Sequence, residues 1–400
     1  MSRPAEVAES LRRLKPAEVD YAIRFVDTLL DAACAVHASD VHVQPVPGGN
    51  NELRWRLDGV LQPLGVFPRG DAADVVTRLK VLAELLTYRT DVPQEGRIRA
   101  KHADVEIRVS TFPTLHGERA VVRLFATSGR FLSLEDLRLP VEVQDQLRKL
   151  LVETSGAIVI TGPAGSGKTT TAYACLREIV RASAGGKNVV SLEDPIESAL
   201  DGVAQSQVNP HAGLDLAVGL RSLMRQDPEV ILVGEIRDRE TASTTLQAAL
   251  TGHLVVTTFH AGTATAALSR LAEMGMEPYQ LSSGILAIIS QRLVRRLCDC
   301  AVPWDTEAQK LDLPAVVGRI PRGCEQCWQT GYNGRLLLAE LLQLVEAQMQ
   351  AGVLDEYDAA ALERHAMEHG FVRLRERAIA AVEAGATSPG EVRRVLGFGI

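Results

Sequence analysis

The chain has 400 residues, 46% of them hydrophobic and 23% charged, enough for two or three domains with real cores and too apolar for a disordered chain. Its formal charge of −7 gives no general attraction to a phosphate backbone, so nucleic acid is not an expected partner. The start MSRPAEVAESLRRLKPAEVD has no apolar leader, and no later window approaches the about 18 continuous apolar residues of a membrane span, so the expected location is the cytoplasm.

Residues 1–19 read as a short N-terminal extension. Between residues 17 and 37, Val19, Ile23, Val26, Leu29, Leu30 and Ala33 fall at helical spacing and predict an amphipathic helix with its apolar side toward a core. The alternating segments VHVQP, ELRWRL and VEIRVST then predict strands of a small α+β domain. Arg54, Arg56, Arg97, Arg108, Arg119 and Arg123 recur on these segments, a pattern that a solvated strand face explains. Ser, Gly and Pro near the ends of ATSGRFLSLEDLRLP predict an interdomain linker over 127–140.

The strongest chemical signal follows. Ala157–Thr161 is a short β-branched run suited to a buried parallel strand, and Thr169 onward has helical composition. Between them stands Gly162-Pro163-Ala164-Gly165-Ser166-Gly167-Lys168-Thr169-Thr170, a P-loop in its strand–loop–helix setting. The glycines let successive N–H groups face phosphate oxygens, and the helix adds its positive dipole end. Lys168 is expected to reach the β- and γ-phosphates of ATP and Thr169 to ligate Mg²⁺.

Two further strand-like runs end in acids: NVVSLEDPIE in Glu193, Asp194 and Glu197, and EVILVGEIRDRET in Glu235 beside Arg237. In an open parallel sheet both would face the crevice at the carboxyl ends of the strands. One carboxylate could hold Mg²⁺ through water while another orients or deprotonates the attacking water. A third run, TGHLVVTTFH, carries His260 at the same edge and His253 at the opposite one. Beyond residue 336 the composition reads as helical. Cys34 and Cys175 sit singly in apolar, helix-like runs as small hydrophobes. The other four cysteines, Cys298, Cys300, Cys324 and Cys327, fall within thirty residues.

In this order and spacing, TGPAGSGKTTT, LEDPIE, LRSLMRQDPEVILVGEIRDRET and TGHLVVTTFH resemble the Walker A, Asp box, Walker B and His box of the type II secretion and type IV pilus ATPase family. The likeness continues upstream through ASDVHVQP, RLDGVL, VPQEGRIRA and STFPTLHGERAVVRL, and downstream through LAEMGMEPYQLSSGILAIISQRLVRRLC. It covers roughly residues 20 to 345.

The resemblance implies an α/β protein. A PAS-like α+β domain over 20–126 precedes a RecA-like P-loop ATPase core over 141–297, then a cysteine-containing metal-binding segment over 298–335 and a helical subdomain over 336–400. It implies a cytoplasmic homohexamer that hydrolyses ATP with Mg²⁺ to power pilus or pseudopilus assembly. The partner would be an inner-membrane platform protein, with only peripheral membrane association. By the same resemblance Glu193 is the general base, Glu235 the Walker B acid near Mg²⁺ and His260 the His-box residue near the phosphates. Arg97, in PQEGR, and Arg108, in RVST, lean over the nucleotide. Arg221 and Arg225 match family positions whose role stays open. The alternatives are a pilus retraction motor of the same family, a RecA-like nucleic-acid translocase and a nucleotide-binding scaffold without hydrolysis.

Family members of the assembly type often carry two C-x-x-C pairs that hold a structural zinc ion. Cys324-Glu325-Gln326-Cys327 has that knuckle spacing. Cys298-Asp299-Cys300 is one residue short. In an extended strand its two residues would sit about 6.5 Å apart, so both can ligate one ion only through a tight turn; otherwise Asp299 or a neighbour replaces one sulfur. The site would be structural, because four sulfur ligands leave no open position. Reduced, metal-free thiols are the alternative. Disulfides do not suit a reducing cytoplasm.

Overall fold

A computed structural model describes residues 4–71, 74–98, 105–126, 133–344 and 359–397. The chain divides into two compact units, Met1–Gly129 with Arg322–Asn333, and Arg130–Pro321 with Gly334–Ile400.

The first unit contains helices α1 (Pro4–Arg12), α2 (Tyr21–Ala35) and α3 (Val75–Leu82) and strands β1 (Asp40–Val46), β2 (Asn50–Leu57), β3 (Val60–Pro68), β4 (Gln94–Ile98), β5 (Val105–Thr114) and β6 (Gly117–Ala126). The strands form one antiparallel sheet in the order β3-β2-β1-β6-β5-β4. Burial alternates along β1 and β2, so Val41, Val43, Leu53 and Trp55 enter one core with Phe25, Val26, Leu29 and Ala33 of α2. Each such large side chain contributes about 1.5–3 kcal/mol by leaving water.

Two details differ from the sequence reading. Helix α2 starts at Tyr21, and Val19 and Ile23 are exposed; the stripe that packs is Phe25, Val26, Leu29, Leu30 and Ala33. Residues 4–12 are not a bare extension, because Val7, Ala8 and Leu11 of α1 are buried in the same core. The short segment Arg322–Asn333 also packs here, with Trp328 stacked on Trp55 at 6.1 Å between ring centroids.

The second unit is built on a seven-stranded sheet in the order β15-β12-β7-β11-β10-β8-β9. Its strands are β7 (Gly156–Thr161), β8 (Val189–Glu193), β9 (Ala204–Gln207), β10 (Val230–Val233), β11 (Leu254–Phe259), β12 (Ile285–Leu297) and β15 (Tyr332–Gln343); β13 (Val302–Pro303) and β14 (Arg319–Ile320) pair separately. From β12 to β9 every neighbouring pair is parallel. Every residue of β7, β8, β10 and β11 is buried, as expected of a parallel sheet covered on both faces. Helices α4 (Val141–Leu150) and α5 (Lys168–Ala182) share a core with Ile158 and Ile160. On the other face Ala157 and Val159 meet α6 (Leu216–Leu223), α7 (Arg239–Leu250), α8 (Ala264–Glu273) and α9 (Pro278–Gly284).

The C-terminal part contains α10 (Ala359–Glu368), α11 (Leu374–Glu383) and α12 (Pro389–Leu396). Residues 336–343, expected to be helical, lie instead in β15. A Leu-rich run has good helix propensity, but pairing inside a buried sheet overrides so weak a preference. Of the expected linker, residues 127–132 lie outside the described residues. Leu134, Leu137 and Leu139 are buried in the core of the second unit, so the part from 133 onward is packed rather than free. No helix among the described residues is long and apolar enough to cross a membrane.

In the first unit, Lys80 and Glu118 form a buried pair. The Lys80 Nζ lies 2.8 and 2.9 Å from the two carboxylate oxygens and 2.7 Å from the Arg89 carbonyl, and its side chain is 1% exposed. Removing one partner leaves an uncompensated buried charge. Lys80→Ala is therefore expected to lower the stability of this unit by about 3–5 kcal/mol, read as a shift of the urea transition followed by tryptophan fluorescence; an unchanged midpoint refutes the assignment.

Candidate active site

Because β7, β8, β10 and β11 run parallel and adjacent, their carboxyl ends share one edge of the sheet. The segments that leave there are the P-loop after Thr161, Glu193 at the end of β8, Glu235 two residues beyond β10, and His260 directly after β11. They line a single cleft of about 240 Å³ that also includes Thr169, Tyr173, Asp194, Arg237 and Thr258.

The P-loop closes tightly around its glycines. A Cβ at Gly162 would stand 2.5 Å from the Ser166 Oγ and 2.6 Å from the Gln291 carbonyl, so no side chain fits. Gly167 ends the loop at φ 90°, a left-handed conformation suited to glycine, and Lys168 begins α5. Gln291, fully buried on β12, donates its Nε2 to the Ser166 carbonyl at 2.8 Å and braces the loop from beneath. Pro163, Ala164, Gly165 and Thr169 are exposed, and Thr170 half-buried. The loop thus presents one face to a ligand.

Lys168 rests its ammonium on the carbonyls of Gly162 and Pro163, 3.0 and 3.2 Å away, and lies 3.4 Å from the His260 Nδ1. Burial pulls its pKa below the usual lysine range, against the raising effect of Glu235. The second imidazole nitrogen of His260, Nε2, meets Glu235 Oε1 at 2.7 Å. Glu235 Oε2 accepts from Arg237 Nε at 2.9 Å, and Arg237 reaches on to Asp194 at 3.0 Å. A continuous polar chain therefore runs Lys168–His260–Glu235–Arg237–Asp194 across the cleft.

Glu193 is placed differently. It is 3% exposed and accepts hydrogen bonds from the Tyr173 hydroxyl, from Ser191 Oγ at 2.6 Å and from Gln205 Nε2 at 3.1 Å. Burial and the neighbouring Glu193 push the Tyr173 phenol well above its usual pKa, so it remains a donor. Three donors make the buried carboxylate tolerable.

The residues after His260 are short-chained, yet their backbone is well held. Ala261 N–H donates to Thr161 Oγ1 at 2.8 Å, Arg292 donates to the Gly262 carbonyl at 2.6 Å, and Arg270 donates to the His260 carbonyl at 2.6 Å. These hydrogen bonds offset the small size of Ala261 and Gly262. His253 lies at the other edge, where its Nδ1 is 3.0 Å from the Ala248 carbonyl and its own carbonyl accepts from the Gly156 N–H at 3.1 Å.

The sequence reading identified Lys168, Thr169, Glu193, Glu235 and His260, and the structure gathers all five. Tyr173, Gln205, Arg270, Gln291 and Arg292 were not foreseen. Their partners lie from 10 positions away, for Arg270 and His260, to 125 positions away, for Gln291 and Ser166, and only the folded chain reveals the pairings. Arg97 and Arg108 belong to the first unit, directly opposite one another on β4 and β5. Glu106 lies 3.4 Å from Arg97 and 2.8 Å from Arg108, and the Arg108 guanidinium sits 4.6 Å from the Phe125 ring centroid. Arg221 pairs with Glu240 at 2.9 Å.

The thiols of Cys298, Cys300, Cys324 and Cys327 lie within 4.8 Å of one another and could hold a metal ion. Directly after β12, Cys298 closes a tight turn in which the Ala301 N–H donates to its carbonyl at 2.9 Å. The short Cys298-x-Cys300 spacing therefore keeps both thiols within the cluster. In the second pair the sulfurs are 3.7 Å apart, and Cys327 Sγ accepts N–H groups from Cys324 and Gly331, each at 3.2 Å.

Residues 16–394 match the model of the family described as Type II/IV secretion system protein. The type II secretion system ATPase E of Vibrio cholerae is 40% identical over 383 residues, which cover 93% of this chain and 75% of that protein. The type IV pilus assembly ATPase PilB of Thermus thermophilus is 37% identical over 390 residues, 94% of this chain and 43% of PilB. Among solved structures, the Legionella pneumophila ATPase DotB superposes with a TM-score of 0.68 at 22% identity, over 93% of this chain and 95% of DotB, a likeness of fold. A P-loop cleft with acids at two strand ends, inside a sequence match spanning nearly the whole chain, leads to one conclusion: the chain belongs to the type II/IV secretion system protein family and is an ATPase of that family.

Proposed function

We propose that the chain is the cytoplasmic, hexameric motor of a type II secretion or type IV pilus machine. It would work at the inner-membrane face on a platform protein and turn ATP hydrolysis into pilus or pseudopilus assembly. The observation that carries this reading is the convergence of Lys168, Glu193, Glu235 and His260 on one cleft.

Each residue then has a role that follows from its surroundings. Gly162 to Thr170 cradle the phosphates with backbone N–H groups and the start of α5. The Lys168 ammonium, held by loop carbonyls, exchanges them for the β- and γ-phosphate oxygens. The exposed hydroxyl of Thr169 and the carboxylate of Glu235 are hard oxygen donors in one cleft, the donor chemistry that suits Mg²⁺, with Glu235 acting through water. Bound there, the ion would supply charge to offset that gathering on the phosphates.

Glu193 serves as general base. Water attacks the γ-phosphorus, the bond to the ADP oxygen breaks, and the water proton passes to the Glu193 carboxylate. His260, hydrogen-bonded between the loop and Glu235, orients the polar chain at the γ-phosphate. Arg97 and Arg108 carry permanent, bidentate charge and are assigned to neutralising phosphate as the reaction proceeds.

The four cysteines are read as one structural zinc site. The 3.7 Å between the Cys324 and Cys327 sulfurs fits two thiolates on a tetrahedral ion with Zn–S near about 2.3 Å, and backbone N–H donors to Cys327 suit a thiolate. Retraction motors of the family generally lack this cluster, so it favours assembly over retraction.

Three outcomes are expected of the purified full chain. Glu193→Gln and Glu235→Gln each lower kcat by about 10²–10³-fold while fluorescent ATP-analogue binding survives in the first; a wild-type hexamer without ATPase activity, or Glu193→Gln without effect, would instead indicate a nucleotide-binding scaffold. His260→Ala lowers kcat by about 10²-fold; retained kcat removes His260 from the mechanism. Elemental analysis gives about one zinc per chain, lost in the Cys324→Ser/Cys327→Ser double variant; metal that persists in that variant refutes the site.

A further inference from the structure

Helices begin with N–H groups that have no partner inside the helix, and most first-turn amides are left to water or a capping side chain. Two helices of the second unit share one cap. Helix α8 begins at Ala264, four residues after His260, and its Ala264 N–H donates to Glu340 Oε1 at 2.7 Å. Helix α11 begins at Leu374, and its Leu374 N–H donates to the other oxygen, Oε2, at 2.8 Å. Glu340 lies on β15 and is 1% exposed.

Both arrangements need this carboxylate. Arg373, the residue before α11, makes no side-chain cap. At α8, Thr263 caps the Ala266 N–H and leaves that of Ala264 to Glu340. The two positive helix ends converge on one negative group, each end favouring an anion. Among the described residues, the charged groups that act on Glu340 include Arg292, Glu363 and Arg373. Arg292 also holds the Gly262 carbonyl, so two contacts in this region converge on the loop that carries His260.

We propose that Glu340 is a positioning residue for ATP hydrolysis: by capping α8 and α11 together, it fixes the His260 loop to the C-terminal helices and so sets the imidazole at the γ-phosphate end of the cleft. The inference rests on the reading that His260 takes part in hydrolysis. Burial raises the Glu340 carboxyl to about 7 while the two donated N–H bonds oppose that rise, so the charge of the cap is finely balanced. Glutamine keeps its shape but can accept for only one of the two helices. An apolar replacement frees both.

The test combines steady-state kinetics on the assembled full chain with native-state amide exchange. Glu340→Gln is expected to lower kcat by about ten-fold with KM for ATP changed by less than about two-fold, the pattern of a lost transition-state contribution. In the His260→Ala background the same substitution is expected to lower kcat further by less than about two-fold, because residues acting through one another are not additive. An equal fall in both backgrounds, or no fall in kcat, overturns the proposal and leaves Glu340 a structural brace. His260→Ala alone tests the underlying reading, so the two failures are separable. Should Glu340→Gln and Glu340→Ala both fail to fold, exchange in the wild-type chain still decides. The Ala264 and Leu374 amides must be protected together well beyond ordinary first-turn amides, and fast exchange at either one refutes the shared cap.

Discussion

Parallel pairing of β7, β8, β10 and β11 is the constraint from which the candidate active site follows. Four strands that run the same way deliver four chain segments to the same edge. Lys168, Glu193, Glu235 and His260 are separated by up to about 90 positions in sequence, yet Lys168 and His260 come within 3.4 Å. No local preference could produce that contact. It depends on four fully buried strands whose apolar side chains leave them nowhere else to pack.

The buried carboxylates show how one residue type is used in three ways. Glu193 sits among neutral donors from Tyr173, Ser191 and Gln205 in the cleft. Glu340 accepts from two backbone amides and has its pKa raised by burial to about 7. For Glu391, burial acts in the same direction, but Arg394 and Arg295 outweigh it and hold the carboxyl below its usual range. Neutral N–H donors moderate the cost of burial, whereas guanidinium groups reverse its effect on the pKa. Glu391 thereby ties α12 to β12 through Arg295, and Glu340 ties α11 to α8. The C-terminal helices are thus anchored by buried charge as well as by the apolar cluster around Leu374, Ala378 and Val392.

The cysteine segment adds a second type of local constraint. Trp328 and Gln329 take left-handed φ values of 53° and 63° immediately after Cys327, a conformation uncommon for residues with a Cβ. Here it closes the knuckle and lets the Cys324 and Gly331 amides point at the sulfur. Stacking of Trp328 on Trp55 accompanies that turn. A strained backbone, two N–H···S contacts and an aromatic stack all act between Cys324 and Gly331.

The sequence alone determined the chemistry of this protein. A P-loop works through backbone geometry that depends on glycines at fixed spacing, so Gly162, Gly167, Lys168 and Thr169 were legible without a fold, as were the acids and His260 closing three apolar strands. Short apolar runs bounded by such residues also announced the parallel sheet. Tertiary structure decided which groups support that chemistry. Tyr173 on Glu193, Gln291 under the P-loop, Arg292 at Gly262 and Glu340 between two helices depend on side chains meeting across the sheet, and their sequence neighbours carry no trace of those partners. It also decided that residues 336–343 form a strand and that α1 belongs to a core. Both outcomes follow from burial against distant residues, which outweighs the few tenths of a kcal/mol per residue that local preference supplies.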